Sequence, residues 1–278
     1  MPGSARGPAS AKARVAHLLA DQAEAHEASV LNRSGDILLV DVRLRRASGK
    51  IARYHLRIDT GDIEPEVRES KPERLPTYCP NRHVNHEGVF CLSLPSEDPL
   101  PVVDAVSAAA WWARLLKYLS LQETTTRLRR WPSRHEWAHG VAAMHQQRAE
   151  VCAAALGAQF VKALAQRRLT ARRRGLGLGF LQVRDGTQRL YAVWEEPRRV
   201  AILRQRCPCG SGRAIVACAD HAARAAELPF ALLAWEKAER RFWRFAQGRT
   251  CCGTLDDCPL TTARTPAAQP PPIAAQAA

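Results

Sequence analysis

Residues 79–94, CPNRHVNHEGVFCLSL, are the stretch that decides how this chain is interpreted. They lie in an irregular segment, from Asp59 to Pro101, that contains seven prolines. A segment of this length without regular structure is usually either functional or disordered. The short apolar run at 88–92 inside it favours a functional loop. Cys91 is therefore the candidate functional residue of this loop.

On either side of the loop, the hydrophobic pattern predicts helices and a β-hairpin. Apolar residues recur at helical spacing in residues 12–30, which predicts a first amphipathic helix. Residues 38–44 and 52–58 alternate apolar and polar side chains, as in strands with one buried face, and the small residues at 47–49 suit the turn between them. A further helix is predicted at 102–122. Helix, hairpin, loop and helix together predict an α+β fold.

The second half of the chain reads as a long helix followed by short strands and a cysteine-rich segment. Its predicted elements are a helix at 137–168, a linker at 172–179, strands at 180–183, 190–194 and 200–203, and a helix at 229–246. The predicted domains are a flexible arm at 1–11, a first domain at 12–140, a long helix and basic linker at 141–179, a small basic module at 180–262 and a disordered tail at 263–278.

The loop at 79–94 resembles the active-site segment of the E2 ubiquitin-conjugating enzymes. In that family a His-Pro-Asn motif precedes a glycine, and then a cysteine followed by leucine. The corresponding residues here are the tripeptide 83–85 (His-Val-Asn), Gly88, Cys91 and Leu92.

The resemblance extends beyond the loop, over residues 10–140. Its implied fold is a UBC-like domain of helix, antiparallel meander, active-site loop and helices. The segment from Trp111 to Gly140 is similar to bacterial E2-like proteins. Two departures stand out: Val84 occupies the proline position of the motif, and the spacing from Asn85 to the cysteine is shorter than in eukaryotic members.

The resemblance and the chemistry together suggest roles for three residues of the loop. Cys91 would carry a ubiquitin-like modifier as a thioester and pass it to a target amine. The side-chain amide of Asn85 would donate to the oxyanion of the tetrahedral intermediate, an interaction worth ~10²–10³ in rate. His83 would hold the loop by hydrogen bonds. It need not act as a base, because an ordinary thiol with a pKa of about 8.5 is already a few per cent thiolate at pH 7.

Two other interpretations of Cys91 stay open. A free cysteine is often a small buried hydrophobe, although the surrounding motif counts against that role here. A cysteine hydrolase would need a histidine from elsewhere in the chain, which His135 or His139 could supply. No protease-like local signature surrounds Cys91.

A cluster of six cysteines near the C-terminus indicates a metal site. The run Cys207-Pro-Cys209-Gly-Ser-Gly, with Cys218 after it, resembles the SEC-C zinc motif. That motif has a cysteine or histidine next to its third cysteine, where this chain has Ala219. Structural zinc takes four sulfur or nitrogen ligands, so His221 is the candidate fourth ligand. Three more cysteines would complete this site or form part of a second: Cys251, Cys252 and Cys258.

Positive charge is concentrated in the second half of the chain. Of the net charge of +14, residues 141–278 contribute 21 basic and 10 acidic side chains, against 20 and 17 in residues 1–140. A positive field favours acidic partners. The alternative function is therefore a non-catalytic zinc-dependent adaptor that binds nucleic acid or an acidic protein.

Compartment and partners follow from composition and from the resemblance. The chain has no apolar run of 18 residues, and its N-terminus lacks the apolar segment of a signal peptide, so we expect no membrane span and a cytoplasmic location. Nine cysteines without a signal peptide argue against a disulfide framework, and a reducing compartment leaves them three uses: buried packing, metal binding and catalysis. The resemblance implies four partners: a ubiquitin-like modifier, an E1-like activating enzyme, a JAB-type deubiquitinase and a protein target. It also implies a bacterial conjugation system, with a role in anti-phage defence.

Overall fold

The computed structural model describes residues 8–46, 48–94, 98–132, 138–175, 179–201, 206–208 and 212–260, with side chains from residue 14 onward. These residues form two compact units. The first unit takes the described residues up to Leu92, Pro101–Pro132, and residues 245–260. The second takes Ser93–Leu100 and Ser133–Arg244. The predicted tail at 263–278 lies outside the described residues.

The first unit is built on an antiparallel four-stranded meander in the order β1-β2-β3-β4. The alternation read from the sequence places one face of β2 and β3 in the core, where Val40 pairs with Leu56 and Val42 with Tyr54, all of them buried. In chain order the elements are α1 (Pro8–Ala23), β1 (Ala28–Ser34), β2 (Ile37–Arg45), β3 (Ile51–Asp59), β4 (Glu66–Glu69) and α2 (Ala105–Leu128).

Helix α2 is the longest element of the first unit, and its apolar residues belong to the core of that unit. Asp104 caps it: its carboxylate accepts the Ser107 N–H at 2.7 Å, while the Ser107 hydroxyl accepts the Asp104 N–H at 2.9 Å. The buried indoles of Trp111 and Trp112 meet edge to face, 5.4 Å apart. Trp112 also donates to the carbonyl oxygen of Leu19 at 2.9 Å, which fixes α2 against α1.

Between β4 and α2 the described residues form no long regular element, as the prolines predict. It contains two short 3₁₀ turns, Pro80–Arg82 and His86–Gly88. Single β-bridges join Val84 to Cys79 on one side and to Phe90 on the other. These bridges give the loop a defined backbone path even though it contributes no named strand.

The second unit has its own three-stranded antiparallel sheet, in the order β5-β6-β7. Its core packs helix and sheet residues such as Leu156, Phe160, Val183, Tyr191 and Leu228. In chain order the elements are α3 (Ala142–Leu156), α4 (Ala158–Ala165), β5 (Leu169–Arg174), β6 (Phe180–Asp185), β7 (Gln188–Trp194) and α5 (Ala222–Ala246).

The α+β class and the UBC-like order of elements are confirmed, while several element bounds differ from the prediction. The first helix ends at Ala23, because the predicted stretch also contains strand β1. The long helix is interrupted at Gly157, whose φ of 112° and ψ of 171° belong to a region that essentially only glycine adopts. Part of the predicted linker is strand β5, where Leu169 and Ala171 are buried and the arginines that follow are exposed.

Among the described residues, no helix is both long enough and apolar enough to cross a membrane.

Candidate active site and metal centre

Cys91 lies at the end of the loop, half-buried, directly after the buried Phe90. Its backbone N–H donates to the carbonyl oxygen of His83 at 2.8 Å, beside the bridge from Val84 to Phe90. The structure therefore brings the backbones of two predicted site residues, Cys91 and His83, into direct contact.

Asn85 lies on the exposed side of the same loop. Its N–H donates to the carbonyl oxygen of Val89 at 2.7 Å, which closes a tight turn ahead of the cysteine. Gly88 makes this turn possible, because its φ is +78° and side chains rarely tolerate that value. Asn85 and Cys91 thus lie on either side of one short turn, and Asn85 is exposed.

Side chains on one face of α2 donate hydrogen bonds to the backbone carbonyl groups of this loop. Arg114, Tyr118 and Gln122 lie four residues apart, so they share a helix face. Arg114 Nη1 donates to Leu92 O at 3.2 Å, and the Tyr118 hydroxyl donates to His83 O at 3.1 Å. Gln122 Nε2 donates to the carbonyl oxygen of the residue before His83 at 2.5 Å. Sequence reasoning missed this polar column, although its four-residue spacing is visible in the sequence.

Arg82 anchors the start of the loop from inside the core, with only 1% of its surface exposed. Its Nε donates to Gln122 Oε1 at 2.9 Å, and Nη2 donates to Thr126 Oγ1 at 2.8 Å. Its Nη1 donates to Thr254 Oγ1 at 3.1 Å, from the C-terminal part of the first unit. Within the described part of the chain, these hydrogen-bond partners of the guanidinium are neutral oxygens.

Aromatic rings lie around the carbonyl group of His83, which accepts the N–H of Cys91. Phe90 stacks on Tyr118 at 4.9 Å, and the His83 ring lies 4.9 Å from that of Trp131. Burial, and then the electrostatic effect of nearby Cys91, raise the pKa of Tyr118 well above its usual value. The phenol therefore keeps its proton and remains a donor. The left-handed backbone of His83, with φ of 52°, aims its carbonyl group at this donor.

Of the two histidines considered for a hydrolase, His139 is among the described residues. His139 belongs to the second unit, where its Nδ1 lies 2.6 Å from Glu239 Oε1 and its ring stacks on Phe242 at 4.5 Å. Its backbone N–H also donates to Glu239 Oε2 at 3.1 Å. These contacts give His139 a structural role within the second unit. His135 lies outside the described residues.

Three of the four predicted metal ligands come together in the second unit. Donor atoms of Cys207, Cys218 and His221 all lie within 4.8 Å of one another, and Cys218 Sγ is 3.1 Å from His221 Nδ1. The hydrogen bond with His221 lowers the pKa of the Cys218 thiol. Cys209, the remaining predicted ligand, lies outside the described residues.

Local backbone structure presents these donors. A bridge between Arg206 and Ala214 positions Cys207, whose N–H donates to Arg213 O at 2.9 Å. Cys218 follows a 3₁₀ turn, and its carbonyl oxygen accepts the N–H of His221 at the start of α5. Bonds of about 2.0–2.3 Å from a tetrahedral zinc ion require donors a little under 4 Å apart. The cluster is therefore compatible with binding a metal ion.

Comparison with protein families agrees with this architecture. Residues 26–133 match the prokaryotic E2 domain, so the chain belongs to the E2-like proteins. Residues 138–260 match the cysteine-rich domain that lies C-terminal to E2 domains. The chain is therefore a prokaryotic E2-like protein with a C-terminal cysteine-rich domain. Comparisons with the curated proteins and with the solved structures gave no match.

Proposed function

We propose that this protein is a conjugating enzyme that carries a ubiquitin-like modifier as a thioester on Cys91. The observation that carries the proposal is the position of Cys91 in an E2 domain: half-buried, with its N–H bonded to His83 O. Because α2 also fixes that carbonyl group, the thiol is presented from a loop with a defined backbone. Catalysis by positioning requires a loop of this kind.

The proposed chemistry consists of two acyl transfers. The Cys91 thiolate attacks the thioester carbonyl of a modifier bound to the activating enzyme, the new S–C bond forms, and the activating enzyme's thiolate leaves. An amine of the target then attacks the same carbonyl carbon, and the Cys91 thiolate leaves as the amide forms and the amine releases a proton. Each step passes through an oxyanion, which the exposed Asn85 amide would stabilise.

We further propose that Cys207, Cys209, Cys218 and His221 bind a structural zinc ion. The support is the close approach of three of these donors, and the pKa of the Cys218 thiol, which the hydrogen bond with His221 lowers. Structural zinc contributes folding free energy to small domains. The metal would hold the 206–221 segment together and would take no part in acyl transfer.

The proposed partners are a ubiquitin-like modifier, an E1-like activating enzyme, a JAB-type deubiquitinase and a protein target. The setting we propose is the cytoplasm, within a conjugation system for anti-phage defence. The eight described cysteines, none of them in a disulfide, suit a reducing compartment. Exposed arginines on β5, at 172–174, suit an acidic protein or nucleic acid as an additional contact.

Thioester formation tests the proposal directly. The full chain is incubated with ATP, an E1-like enzyme and a modifier from the same genome, and the products are separated without reductant. We expect an adduct that thiols remove, that Cys91→Ala abolishes, and that Cys91→Ser converts into a thiol-resistant ester. Asn85→Ala should slow transfer to an amine by ~10²–10³. His86→Ala, an exposed neighbour in the same loop, is the matched control and should change the rate little.

An adduct that survives in Cys91→Ala would contradict the proposal. The adaptor alternative predicts a different pattern: Cys91→Ala keeps full function, while Cys207→Ser loses it. A cysteine hydrolase would instead lose activity with His139→Ala under conditions where the chain stays folded.

A further inference from the structure

Two cysteines far apart in sequence meet inside the first unit. The Sγ atoms of Cys79 and Cys252, 173 residues apart in the chain, are 3.1 Å apart. Both residues belong to the first unit, and neither is in a disulfide. A disulfide has an S–S bond of about 2.05 Å, so the two sulfur atoms are within roughly 1 Å of bonding distance. The fold therefore places this pair for a reaction between its two sulfur atoms.

Backbone hydrogen bonds fix Cys79 at the start of the loop that ends at Cys91. The Cys79 N–H donates to Val84 O at 2.9 Å. The Cys79 carbonyl oxygen accepts the N–H of Arg82 at 2.9 Å and that of Val84 at 3.0 Å. The position of Cys79 is thus set by the fold of the loop itself.

The C-terminal segment that carries Cys252 is held against the same unit. Leu255 and Leu260 are buried. Asp256 accepts from Arg129 Nε at 2.6 Å, and the Asp256 N–H donates to Arg129 O at 2.8 Å. The approach of Cys252 to Cys79 is therefore fixed by packing and hydrogen bonds on both sides.

The two thiols differ in exposure. Cys79 is buried, with 2% of its surface exposed, whereas Cys252 is only half-buried, so that solvent reaches part of the residue. A small oxidant in solution would therefore meet Cys252 first, and the buried Cys79 would react with the group beside it. Redox-sensing thiols have this arrangement, in which an accessible reactive cysteine lies next to a resolving cysteine.

Hydrogen bonds and a nearby cation favour the thiolate of Cys252. The Thr254 hydroxyl accepts from Arg82 Nη1 at 3.1 Å and lies 3.0 Å from Cys252 Sγ, so its own proton is directed to the sulfur. The hydrogen bond with Cys79, those with Thr254 and the charge of Arg82 outweigh burial and lower the pKa of Cys252 to about 5. The hydrogen bond with Cys252 and burial raise the pKa of Cys79. At neutral pH Cys252 is thus the thiolate of the pair, and the thiolate is the nucleophilic form.

We propose that Cys79 and Cys252 form a redox-sensitive pair, which a peroxide oxidises to a reversible disulfide. The Cys252 thiolate attacks one oxygen of hydrogen peroxide, the O–O bond breaks, and Cys252 becomes a sulfenic acid as hydroxide leaves and takes a proton from solvent. The Cys79 sulfur then attacks the Cys252 sulfur, the S–S bond forms, and the S–O bond breaks. The second hydroxide leaves with the Cys79 proton as water, so that two electrons have passed from the sulfur atoms to the peroxide.

The disulfide would join the start of the loop to the C-terminal segment by a covalent bond. In the reduced protein the hydrogen bond from Arg82 to Thr254 makes this connection. A small dithiol would reverse the change by thiol–disulfide exchange. Disulfides of this reversible kind are the ones found in reducing compartments. The proposal concerns Cys79 and Cys252 alone and is independent of the thioester proposal for Cys91.

Peptide mapping of the full chain tests the proposal. Reduced protein is freed of reductant, treated with hydrogen peroxide, denatured in a thiol-alkylating reagent and digested with trypsin. Residues 75–82 form one tryptic peptide, in which Cys79 is the single cysteine, and residues 250–264 form another, which contains Cys251, Cys252 and Cys258. We expect peroxide to cross-link these two peptides and dithiothreitol to separate them.

Serine variants assign the cross-link to its two sulfur atoms. Cys252→Ser should lose it, whereas Cys251→Ser, the neighbouring thiol in the same peptide, is the matched control and should keep it. In Cys79→Ser the sulfenic acid of Cys252 has no partner thiol, so we expect a 1,3-diketone reagent to label it. Cys91→Ser should keep the cross-link.

The wild-type result depends on no variant, so misfolding of a serine variant leaves the test decisive. A wild-type chain whose residues 75–82 stay fully alkylated, at every peroxide concentration up to the one that oxidises Cys91, would overturn the proposal. A cross-link that survives in Cys252→Ser, or one that Cys251→Ser abolishes, would overturn it as well.

Discussion

At the scale of single residues, Glu123 shows how one carboxylate organises the first unit. It accepts from Tyr54 at 2.6 Å and Arg74 at 2.7 Å, and it pairs with Arg46 at 2.6 Å. Burial alone would raise the pKa of Glu123, but these donors outweigh burial and lower it. The charged form is therefore the one that the fold stabilises.

Glu123→Gln tests this network through its dependence on pH. At neutral pH we expect the variant to lose about 1–3 kcal/mol in free energy of unfolding, since two arginines and a buried hydroxyl lose their anionic acceptor. The folded-state pKa of Glu123 lies below the usual 4.5. The contribution of its carboxylate to the free energy of unfolding is therefore fully present above that pH. It disappears as the pH falls through the lower folded-state value, and the gap between wild type and variant should narrow below pH 4.5.

Urea titrations at several pH values measure this gap. Glu73→Gln, an exposed carboxylate, is the control and should cost little at any pH. A gap that stayed constant into acid would show that Glu123 is not stabilised as a carboxylate.

At the scale of elements, α2 packs into the core of the first unit and also donates hydrogen bonds to the loop. Its sequence predicts only the first of these two roles. Its tryptophans and leucines predicted a buried helix, and Trp111 and Trp112 are buried. The polar column at Arg114, Tyr118 and Gln122 was not predicted, because polar side chains inside an apolar helix read as its solvent side. These side chains donate to backbone carbonyl groups of the loop because the loop passes over that face of α2.

Replacing Gln122 with leucine should weaken the loop more than the helix. The change removes the acceptor that Arg82 Nε has in the described structure, and it leaves the Arg82 carbonyl oxygen with the longer hydrogen bond from the Tyr118 hydroxyl, at 3.3 Å. We expect a loss of about 2–3 kcal/mol in free energy of unfolding, the cost of a buried charged donor left unpaired. Thermal or urea unfolding measures it. Ser120→Ala, on the exposed side of α2, should change stability by less than about 0.5 kcal/mol. Equal effects of the two variants would contradict the assigned role.

Local pattern predicted the elements better than it predicted their ends. The β2–β3 hairpin follows from the strict alternation of apolar and polar residues, which is the sequence signal of a half-buried strand. The break at Gly157 was not predicted, because a single glycine does not change the helical spacing of the apolar residues on either side of it. The loop residues Cys91, Asn85 and Gly88 were found through the motif, whereas Arg82 was not. Its partners Gln122 and Thr254 are distant in sequence, and no local pattern marks them.

At the scale of the whole molecule, sequence families and compact units divide the chain differently. The cysteine-rich family extends to residue 260, yet the chain from Phe245 onward belongs to the unit that holds the E2 domain. The predicted boundaries at 140 and 262 stay predictions. Cys251, Cys252 and Cys258 belong to the first unit, whereas Cys207 belongs to the second.

This division predicts that a core substitution near the C-terminus weakens the E2-containing unit. Leu255→Ala should cost about 2–4 kcal/mol in free energy of unfolding, from lost burial and the cavity left behind. Hydrogen exchange should show the loss at α2 and the strands of the first unit, with β5–β7 unaffected. Asp257→Ala, exposed in the same segment, is the control. Loss of protection in β5–β7 instead would contradict the division.

The hydrogen bond from the Cys91 amide to the carbonyl oxygen of His83 makes hydrogen exchange at that amide a measure of the loop's structure. That amide is protected only while the loop keeps its shape, and the loop is anchored through Arg82 to Thr254 near the chain's end. Deuterium uptake at this single position would therefore register a proteolytic nick, a fused tag or a docked partner at the far terminus. Hydrogen exchange at the Cys91 amide would therefore report an event near Thr254 without any assay of turnover.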